Sequence, residues 1–206
     1  MDLVPKFVGT NRDISLRQDF VGFLGPKGHV IVYPVRSGNL RSVFAGYFLD
    51  EWAEESWTAP SFAADMVAAF ADWDDQLVEM MGRVEHCYKW GLFDRDPLTQ
   101  WSRGRITLLG DAAHPMMPTL AQGAAITIED AYAIARHLDA GAHNPEQALV
   151  AYERERQPRA SRIQLLARLQ YLNNKMVPPP PPICRDWIFI DDATTGRDWT
   201  PVVTGA

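Results

Sequence analysis

One stretch of the sequence combines an acidic turn with a glycine loop at a spacing that could bind a ligand. It consists of Gly110-Asp111-Ala112-Ala113-His114-Pro115, then Pro118, then Gln122-Gly123-Ala124-Ala125. An apolar run at 106–109 precedes it and a helical pattern at 126–138 follows it. This order places a carboxylate at the end of a buried strand and directs free backbone N–H groups at the same ligand. A polar, planar ligand without a phosphate fits that geometry.

Backbone groups at the start of the following helix are expected to contact this ligand. Gly123 has no side chain, so the backbone can approach a ligand closely. Ala124 and Ala125 begin a helix of ~15 residues, roughly 22 Å long. Their N–H groups lack acceptors within the helix, and the helix dipole adds partial positive charge at that end. These donors suit negative charge on the ligand, as an oxyanion hole suits an oxyanion.

The turn and helix together resemble the second flavin-contacting motif of the FAD-dependent aromatic hydroxylases, the group A monooxygenases of the salicylate hydroxylase type. The resemblance rests on the 110–115 hexapeptide, Pro118 seven residues after Asp111, Gln122-Gly123, and Glu129-Asp130-Ala131. It extends from about residue 25 to about residue 162. It implies an α+β fold, in which an antiparallel substrate-domain sheet is joined to a strand, the flavin motif and closing helices.

The resemblance also implies a role for individual residues of the motif. Asp111 would accept hydrogen bonds from the ribityl hydroxyls of the flavin, with a simple turn or helix cap as the alternative role. Gly123, Ala124 and Ala125 would donate N–H groups to reduced flavin, and Pro118 would lie near the flavin carbon with which oxygen reacts. His114 would support the loop, with direct chemistry as the alternative. For Glu129 and Asp130 we expect helix electrostatics and local packing.

A histidine and a tyrosine lie four residues apart on a predicted strand upstream of the motif. Residues i and i+4 of a strand point to the same face, so His29 and Tyr33 would meet a phenolic substrate together. Histidine, with an ordinary pKa of ~6.5, could take the phenol proton and so activate the ring. Members of the resembled family carry a similar pair. A solvent-facing His29 beside a packed Tyr33 is the alternative.

Part of the family pattern has no counterpart in the sequence. The Gly-x-Gly-x-x-Gly loop that binds the ADP part of FAD is absent, since Gly22, Gly25 and Gly28 belong to a hairpin. We interpret the chain as the C-terminal half of such a monooxygenase, without the N-terminal dinucleotide-binding part. We therefore expect the chain alone to bind FAD weakly or not at all. Apolar surface left uncovered would favour a homodimer or a complementing chain.

Composition restricts the classes of partner. The 206 residues are 47% hydrophobic and carry a net charge of -6 without a basic cluster, which argues against nucleic acid. Apolar runs are too short for a membrane span, and the N-terminus lacks the features of a signal peptide. Cys87 and Cys184 show neither metal nor redox spacing, so we expect no metal site and a reduced, cytoplasmic compartment.

Periodicity and turn residues predict the elements that position these groups. Strands are expected at 20–24, 29–35 and 40–49 as an antiparallel meander, and at 85–92 and 105–109. Helices are expected at 61–70 with Ser61 as N-cap, at 74–81, from Ala124 to a stop at Gly141, and at 145–156 and 158–173. A loop is expected at 52–57, an extended spacer at 178–182, and a strand or cover at 187–190. The predicted domains are 1–104, 105–176 and 177–206.

Three functions are compatible with these patterns. The first is an FAD-dependent aromatic hydroxylase that uses NAD(P)H and O2 on a small aromatic substrate, present as a truncated form or subunit. The second is a flavin-free isomerase or cyclase on a pruned monooxygenase scaffold, with His29, Tyr33, Asp111 or His114 in acid–base roles. The third is a non-catalytic accessory protein. The retained Gly-Asp motif favours the first, because function is decided by the site and not by the fold.

Overall fold

The computed structural model describes residues 20–25, 27–48, 59–84 and 87–190. The chain forms two compact units. Unit 1 comprises Met1–Gly91 and Asn174–Pro179, and unit 2 comprises Leu92–Asn173 and Pro180–Ala206. The domains expected at 1–104, 105–176 and 177–206 stay a prediction. The loop expected at 52–57 lies outside the described residues.

Unit 1 contains the predicted antiparallel meander. Its strands are β1 (Val21–Gly25), β2 (Gly28–Val35) and β3 (Leu40–Tyr47), in the order β1-β2-β3. The meander therefore confirms the antiparallel sheet expected for the α+β fold. Its second hairpin turns through Arg36, Ser37 and Gly38, which all have positive φ.

One face of this sheet forms the core of unit 1. Side chains alternate along a strand, so the valines and phenylalanine of one face pack together against two helices. These helices are α1 (Ala63–Ala69) and α2 (Asp75–Gly82). The buried cluster comprises Val21, Phe23, Val30, Val32, Phe70, Trp73, Leu77 and Met81. The other face of the sheet, which carries His29 and Tyr33, does not take part in this core.

The helix starts agree with the sequence at α2 and differ at α1. Asp74 is the N-cap of α2, and its Oδ1 accepts hydrogen bonds from the N–H groups of Gln76 and Leu77. At α1 the N-cap is Phe62 and not Ser61. Ser61 instead ends β4 (Ala59–Ser61), which pairs with β5 (Cys87–Lys89). The predicted N-cap role of Ser61 is therefore wrong, because Ser61 pairs in a strand.

Unit 2 consists of a short hairpin, two 3-10 turns and three helices. The hairpin is β6 (Ser102–Arg103) with β7 (Ile106–Thr107), and the 3-10 turns are Gly110–Ala112 and Pro118–Leu120. The helices are α3 (Gly123–Ala140), α4 (Pro145–Asn174) and α5 (Asp186–Phe189). Their shared core includes Trp101, Ile126, Tyr152, Ile163 and Ile188.

Three elements of unit 2 differ from the sequence expectation. The strand expected at 105–109 is only two residues long, because its partner β6 pairs through only Ser102 and Arg103. The helices expected at 145–156 and 158–173 are one helix, α4, with Pro158 inside it. Pro158 is exposed, so water can satisfy the carbonyl that loses its N–H partner. The segment expected as a strand or cover at 187–190 is helix α5, whose Ile188 is buried as a cover requires.

Two further features concern the tail and the membrane. The proline run at 178–182 contains neither helix nor strand, as the spacer prediction requires. None of the helices in the described ranges is both long enough and apolar enough to cross a membrane.

Candidate functional site

The acidic turn has a backbone that only glycine suits. Gly110 has φ of 62°, and its carbonyl accepts hydrogen bonds from the N–H groups of Ala113 and His114 at 2.8 and 2.9 Å. A Cβ at Gly110 would lie 3.0 Å from both Cγ2 and Oγ1 of Thr127 on α3. Glycine is therefore required twice, by the left-handed backbone and by the close approach of α3.

The predicted cofactor residues come together at the N-terminus of α3. Asp111 is exposed, and its Oδ1 lies 3.9 Å from the position that a Cβ on Gly123 would occupy. The N-cap Gln122 makes no side-chain capping hydrogen bond, and Ala124 and Ala125 are exposed. The first N–H groups of a helix have no acceptor within it. An exposed carboxylate and uncapped N–H donors therefore stand side by side.

α3 is longer than expected but ends where the sequence predicts. It runs 18 residues from Gly123, one residue before the predicted start at Ala124. Its C-cap is Gly141, whose N–H bonds to the carbonyl of His137 at 2.9 Å. The N-terminal glycine adds one residue to the predicted span, because it adopts helical geometry although it favours it little.

Pro118 stands on a turn that is fixed to α4. It is exposed and occupies the start of the second 3-10 turn. The next residue, Thr119, donates its hydroxyl hydrogen to the carbonyl of Ala167 at 2.6 Å, and Leu120 is buried. Ala121 then takes a left-handed conformation with φ of 54°, which redirects the chain into α3. Pro118 is thus held in place on the loop between the acidic turn and the helix.

His114 is bonded into the core of unit 2. Its Nε2 lies 2.6 Å from Oδ2 of Asp130, and both side chains are fully buried. Arg156 on α4 donates from Nε to the other oxygen of Asp130 at 2.8 Å. The structure therefore favours the supporting role over direct chemistry for His114, because its Nε2 is engaged away from solvent.

Glu129 extends the same network. Arg156 donates to Glu129 Oε2 at 2.6 Å, and Arg159 donates to both oxygens at 2.9 and 3.0 Å. Arg159 also donates to the carbonyl of Ile188 at 3.0 Å, which fastens α5. Burial opposes ionisation, but hydrogen bonds from Arg159 and Arg156 hold the pKa of Glu129 below its ordinary value.

The contacts of Glu129 and Asp130 with α4 were not predicted from the sequence. Glu129 and Asp130 were expected to act on their own helix, whereas their partners are two arginines from the next helix. Arg156 and Arg159 are both buried on one face of α4. Their spacing of three residues within an apolar pattern is the signal that could have indicated a buried ionic contact. Nothing in the sequence identifies which carboxylates they meet.

Gln164 is a second supporting residue that the sequence did not indicate. It is buried, and its Nε2 donates to the carbonyl oxygens of Pro115 and Arg95 at 2.9 Å each. This amide joins the end of the motif hexapeptide to the segment that precedes β6. The motif loop is therefore held from α4 at both Pro115 and Thr119.

His29 and Tyr33 share one face of the sheet in unit 1, as predicted. Strand alternation puts both on the face opposite Val30 and Val32, whose side chains lie in the core. His29 is buried, with 7% of its surface exposed, whereas Tyr33 is 37% exposed and stacks on Phe20 at 6.0 Å between ring centroids. The alternative of a solvent-facing His29 beside a packed Tyr33 is therefore wrong, because His29 is buried and Tyr33 is the more exposed of the two.

The surroundings of His29 are aromatic. Its ring centroid lies 5.7 Å from that of Phe44 and 6.2 Å from that of Phe48. Its Nδ1 is buried without a hydrogen-bond partner among the described residues. Burial lowers the pKa of His29, so its imidazole is neutral near pH 7. A neutral imidazole with a free ring nitrogen can bind and accept a proton from a hydroxyl group.

The described residues contain no metal-binding cluster, and Cys87 and Cys184 form no disulfide. Within those ranges, no three His, Cys, Asp or Glu side chains are placed to hold a metal ion. Cys87 donates its thiol hydrogen to the carbonyl of Ser61, and Cys184 is exposed.

Comparison with known proteins identifies the family. A model of the FAD binding domain family matches residues 12–166. The 3-amino-4-hydroxybenzoate 2-monooxygenase PtmB3 of Streptomyces platensis is 44% identical over 146 residues, which cover 71% of this chain and 37% of that protein. The 6-hydroxynicotinate 3-monooxygenase of Pseudomonas fluorescens is 44% identical over 119 residues, which cover 57% of this chain and 29% of that protein. The chain therefore spans well under half the length of these relatives.

A solved structure gives the same result for the fold. The structure described as a salicylate hydroxylase substrate complex has a TM-score of 0.72 and 27% identity, and the match covers 85% of this chain and 47% of that one. The family match and the structural match both extend over most of the chain, and the family match includes the Gly110 to Ala125 motif. The chain therefore belongs to the FAD binding domain family, and its predicted resemblance to the salicylate hydroxylase-type flavin monooxygenases is confirmed.

Proposed function

We propose that this chain supplies the flavin-ring and substrate-binding parts of an FAD-dependent aromatic hydroxylase. The observation that carries the proposal is the pairing of exposed Asp111 with the uncapped, exposed N-terminus of α3. Support comes from relatives whose names give 3-amino-4-hydroxybenzoate and 6-hydroxynicotinate as substrates. Both are hydroxylated aromatic rings with a carboxylate, and we propose a substrate of this class for the present chain.

The residues present fit one part of FAD. The Asp111 carboxylate can accept hydrogen bonds from ribityl hydroxyls, and the absence of a Cβ at Gly123 leaves room beside it. The N–H groups of Ala124 and Ala125 can donate to the pyrimidine end of the ring. Bound FAD would supply the redox chemistry with NAD(P)H and O2. The sequence offers no glycine-rich phosphate loop for the ADP part.

The chain's own residues would hold the flavin and prepare the substrate. Pro118, which is rigid and has no N–H group, begins the turn that precedes the α3 N-terminus. In unit 1, the neutral His29 would accept the proton of a ring hydroxyl at a ring nitrogen. The Tyr33 hydroxyl would hydrogen bond to the same class of substrate. Loss of the hydroxyl proton raises electron density in the ring, which favours electrophilic attack.

A flavin titration tests this proposal. We expect the 206-residue chain to bind riboflavin, FMN and FAD weakly and with similar affinity, measured by calorimetry, because only the ring and ribityl parts have partners. Asp111→Ala should weaken all three by about tenfold, the effect of one lost charge-assisted hydrogen bond. Asp139→Ala, an exposed carboxylate near the other end of α3, is the control and should change nothing.

Other outcomes would lead to other conclusions. Stoichiometric FAD that remains bound through purification would overturn the expectation of weak binding. Equal affinities of the parent and Asp111→Ala proteins would remove Asp111 from the site. Binding of an aromatic ligand with no binding of any flavin would favour a flavin-free isomerase or cyclase, for which a neutral imidazole at His29 is also suited.

We also propose that the chain associates with itself or with a complementing chain. Leu165, Leu169 and Leu172 on α4 are each about half exposed and follow one another at intervals of four and three residues. Such a stripe is typical of a helix that packs against a partner. Light scattering across micromolar concentrations tests this proposal, and a monomer throughout would count against it.

A further inference from the structure

We propose that Gly46 is a positioning residue, whose missing side chain lets the His29 imidazole, the proposed proton acceptor, lie buried against β3. The outer face is defined as the sheet face that carries His29, Ile31, Tyr33, Phe44 and Gly46. The inference deepens the proposed function and rests on it for the identity of the substrate. The packing itself is independent of that function.

Strand register puts Gly46 directly opposite His29. The two residues are Cα partners in the antiparallel pairing of β2 with β3. Directly opposite residues of a strand pair project from the same face of the sheet, with Cβ atoms about 5 Å apart. A side chain at position 46 would therefore compete with the imidazole for the same space.

The distances show how tight that competition is. A Cβ at Gly46 would lie 2.7 Å from Cε1, 2.9 Å from Nε2 and 3.2 Å from Nδ1 of His29. Carbon atoms in van der Waals contact lie about 3.5 Å or more apart, so even one methyl group cannot share this space with the ring. The glycine backbone is not in the left-handed region, so its flexibility is not what position 46 requires.

The imidazole is the part that would move. No hydrogen bond to a described residue holds its Nδ1, and its neighbours on either side are the Phe44 and Phe48 rings. The β2 and β3 backbones have less freedom, because they pair at eight successive positions, from Gly28 with Tyr47 to Val35 with Leu40. A side chain at position 46 would therefore push the ring outward and leave the sheet in place.

The position of the ring sets its chemistry. Burial lowers the pKa of His29 and so favours the neutral form of the imidazole. The Phe44 and Phe48 rings pack against the imidazole and give it an apolar environment. A ring displaced into water would lose this environment, and its pKa would move towards the ordinary value.

Gly46→Ala tests the inference, and Gly22→Ala is its matched control. Gly22 lies on the outer face opposite Ile31, and a Cβ there would meet only Ile31 Cδ1 at an ordinary 3.4 Å. NMR titration of the His29 ring should give a pKa below the ordinary ~6.5 in the parent and in Gly22→Ala. In Gly46→Ala the pKa should rise towards that ordinary value. An unchanged His29 titration in folded Gly46→Ala would overturn the inference.

A double-mutant cycle covers the case in which Gly46→Ala folds poorly. If the contact with the ring is the cause, adding His29→Ala should restore the urea midpoint to that of His29→Ala alone. An equal loss in both backgrounds would contradict the inference.

Binding of 4-hydroxybenzoate separates this inference from the proposed function. Gly46→Ala should weaken binding about tenfold when His29 is present and little when His29 is Ala. A parent protein that does not bind 4-hydroxybenzoate would count against the proposed function, while the His29 titration would still decide the role of Gly46.

Discussion

Asp130 accepts a hydrogen bond from His114 at 2.6 Å, and this contact joins the acidic turn to α3 inside the core. Its other oxygen is held by Arg156 of α4 at 2.8 Å. The turn that presents Asp111 is thus bonded to both helices, although Asp111 itself is exposed. Rigid placement of an exposed group on a buried support is what a ligand-binding residue requires.

Removal of the charge on Asp130 should destabilise unit 2 severely. In Asp130→Asn the buried Arg156 guanidinium keeps its charge but loses one of its two carboxylate partners, and only Glu129 remains. Breaking a buried ion pair from one side typically costs 3–5 kcal/mol, so we expect a loss of about 3 kcal/mol in the free energy of unfolding. Urea denaturation measures it.

Asp139→Asn is the control for that experiment. It makes the same chemical change on the same helix at an exposed position, and should alter stability by less than about 0.5 kcal/mol. Equal stability of Asp130→Asn and Asp139→Asn would show that the buried network does not hold the motif.

The glycine at the head of the motif should be less replaceable than a second glycine with the same backbone. Gly110 and Gly104 both have φ near 60°, but a Cβ at Gly110 meets Thr127, whereas a Cβ at Gly104 has open space. Left-handed strain costs an L-residue about 1–2 kcal/mol, so Gly104→Ala should lose about that much. Gly110→Ala should lose clearly more in thermal or urea unfolding, and equal losses would contradict the close contact.

The stability of the protein should fall at mildly acidic pH partly because of His29. Its folded pKa is lowered by burial, so the unfolded chain takes up its proton first as pH falls. His29 therefore costs nothing well above its unfolded pKa of ~6.5 and reduces the free energy of unfolding as pH falls below that value.

His29→Gln removes this contribution. Urea unfolding at about pH 7.5 and pH 5.5 should show a smaller acid loss in His29→Gln than in the parent. His143→Gln, which replaces an exposed histidine on unit 2, is the comparison and should keep the parent's acid loss. An acid loss of the same size in the parent and His29→Gln would show that His29 is not held neutral by burial.

Local patterns in the sequence predicted much of the fold. Alternation along β2 correctly predicted the sheet face on which His29 lies, which is opposite to the face of Val30. The Gly-Asp turn before α3 was recognisable from the spacing of its residues. Contacts between distant residues were not predictable, because nothing local indicates that Arg156 meets Asp130 or that Gly46 lies against His29. Pro158 led to the wrong prediction of two helices, at 145–156 and 158–173, in place of α4. The tertiary contacts of α4 outweigh the local preference of proline to end a helix.

The central claim is that Asp111 and the first N–H groups of α3 bind a flavin ring, and an NMR titration tests it most directly. Riboflavin, which lacks the ADP part, is added to isotope-labelled chain while backbone amide signals are followed. We predict that Gly123, Ala124 and Ala125 shift most, and that the shifts are greatly reduced in Asp111→Ala. Saturable shifts confined to other parts of the chain, or identical shifts in Asp111→Ala, would contradict the account.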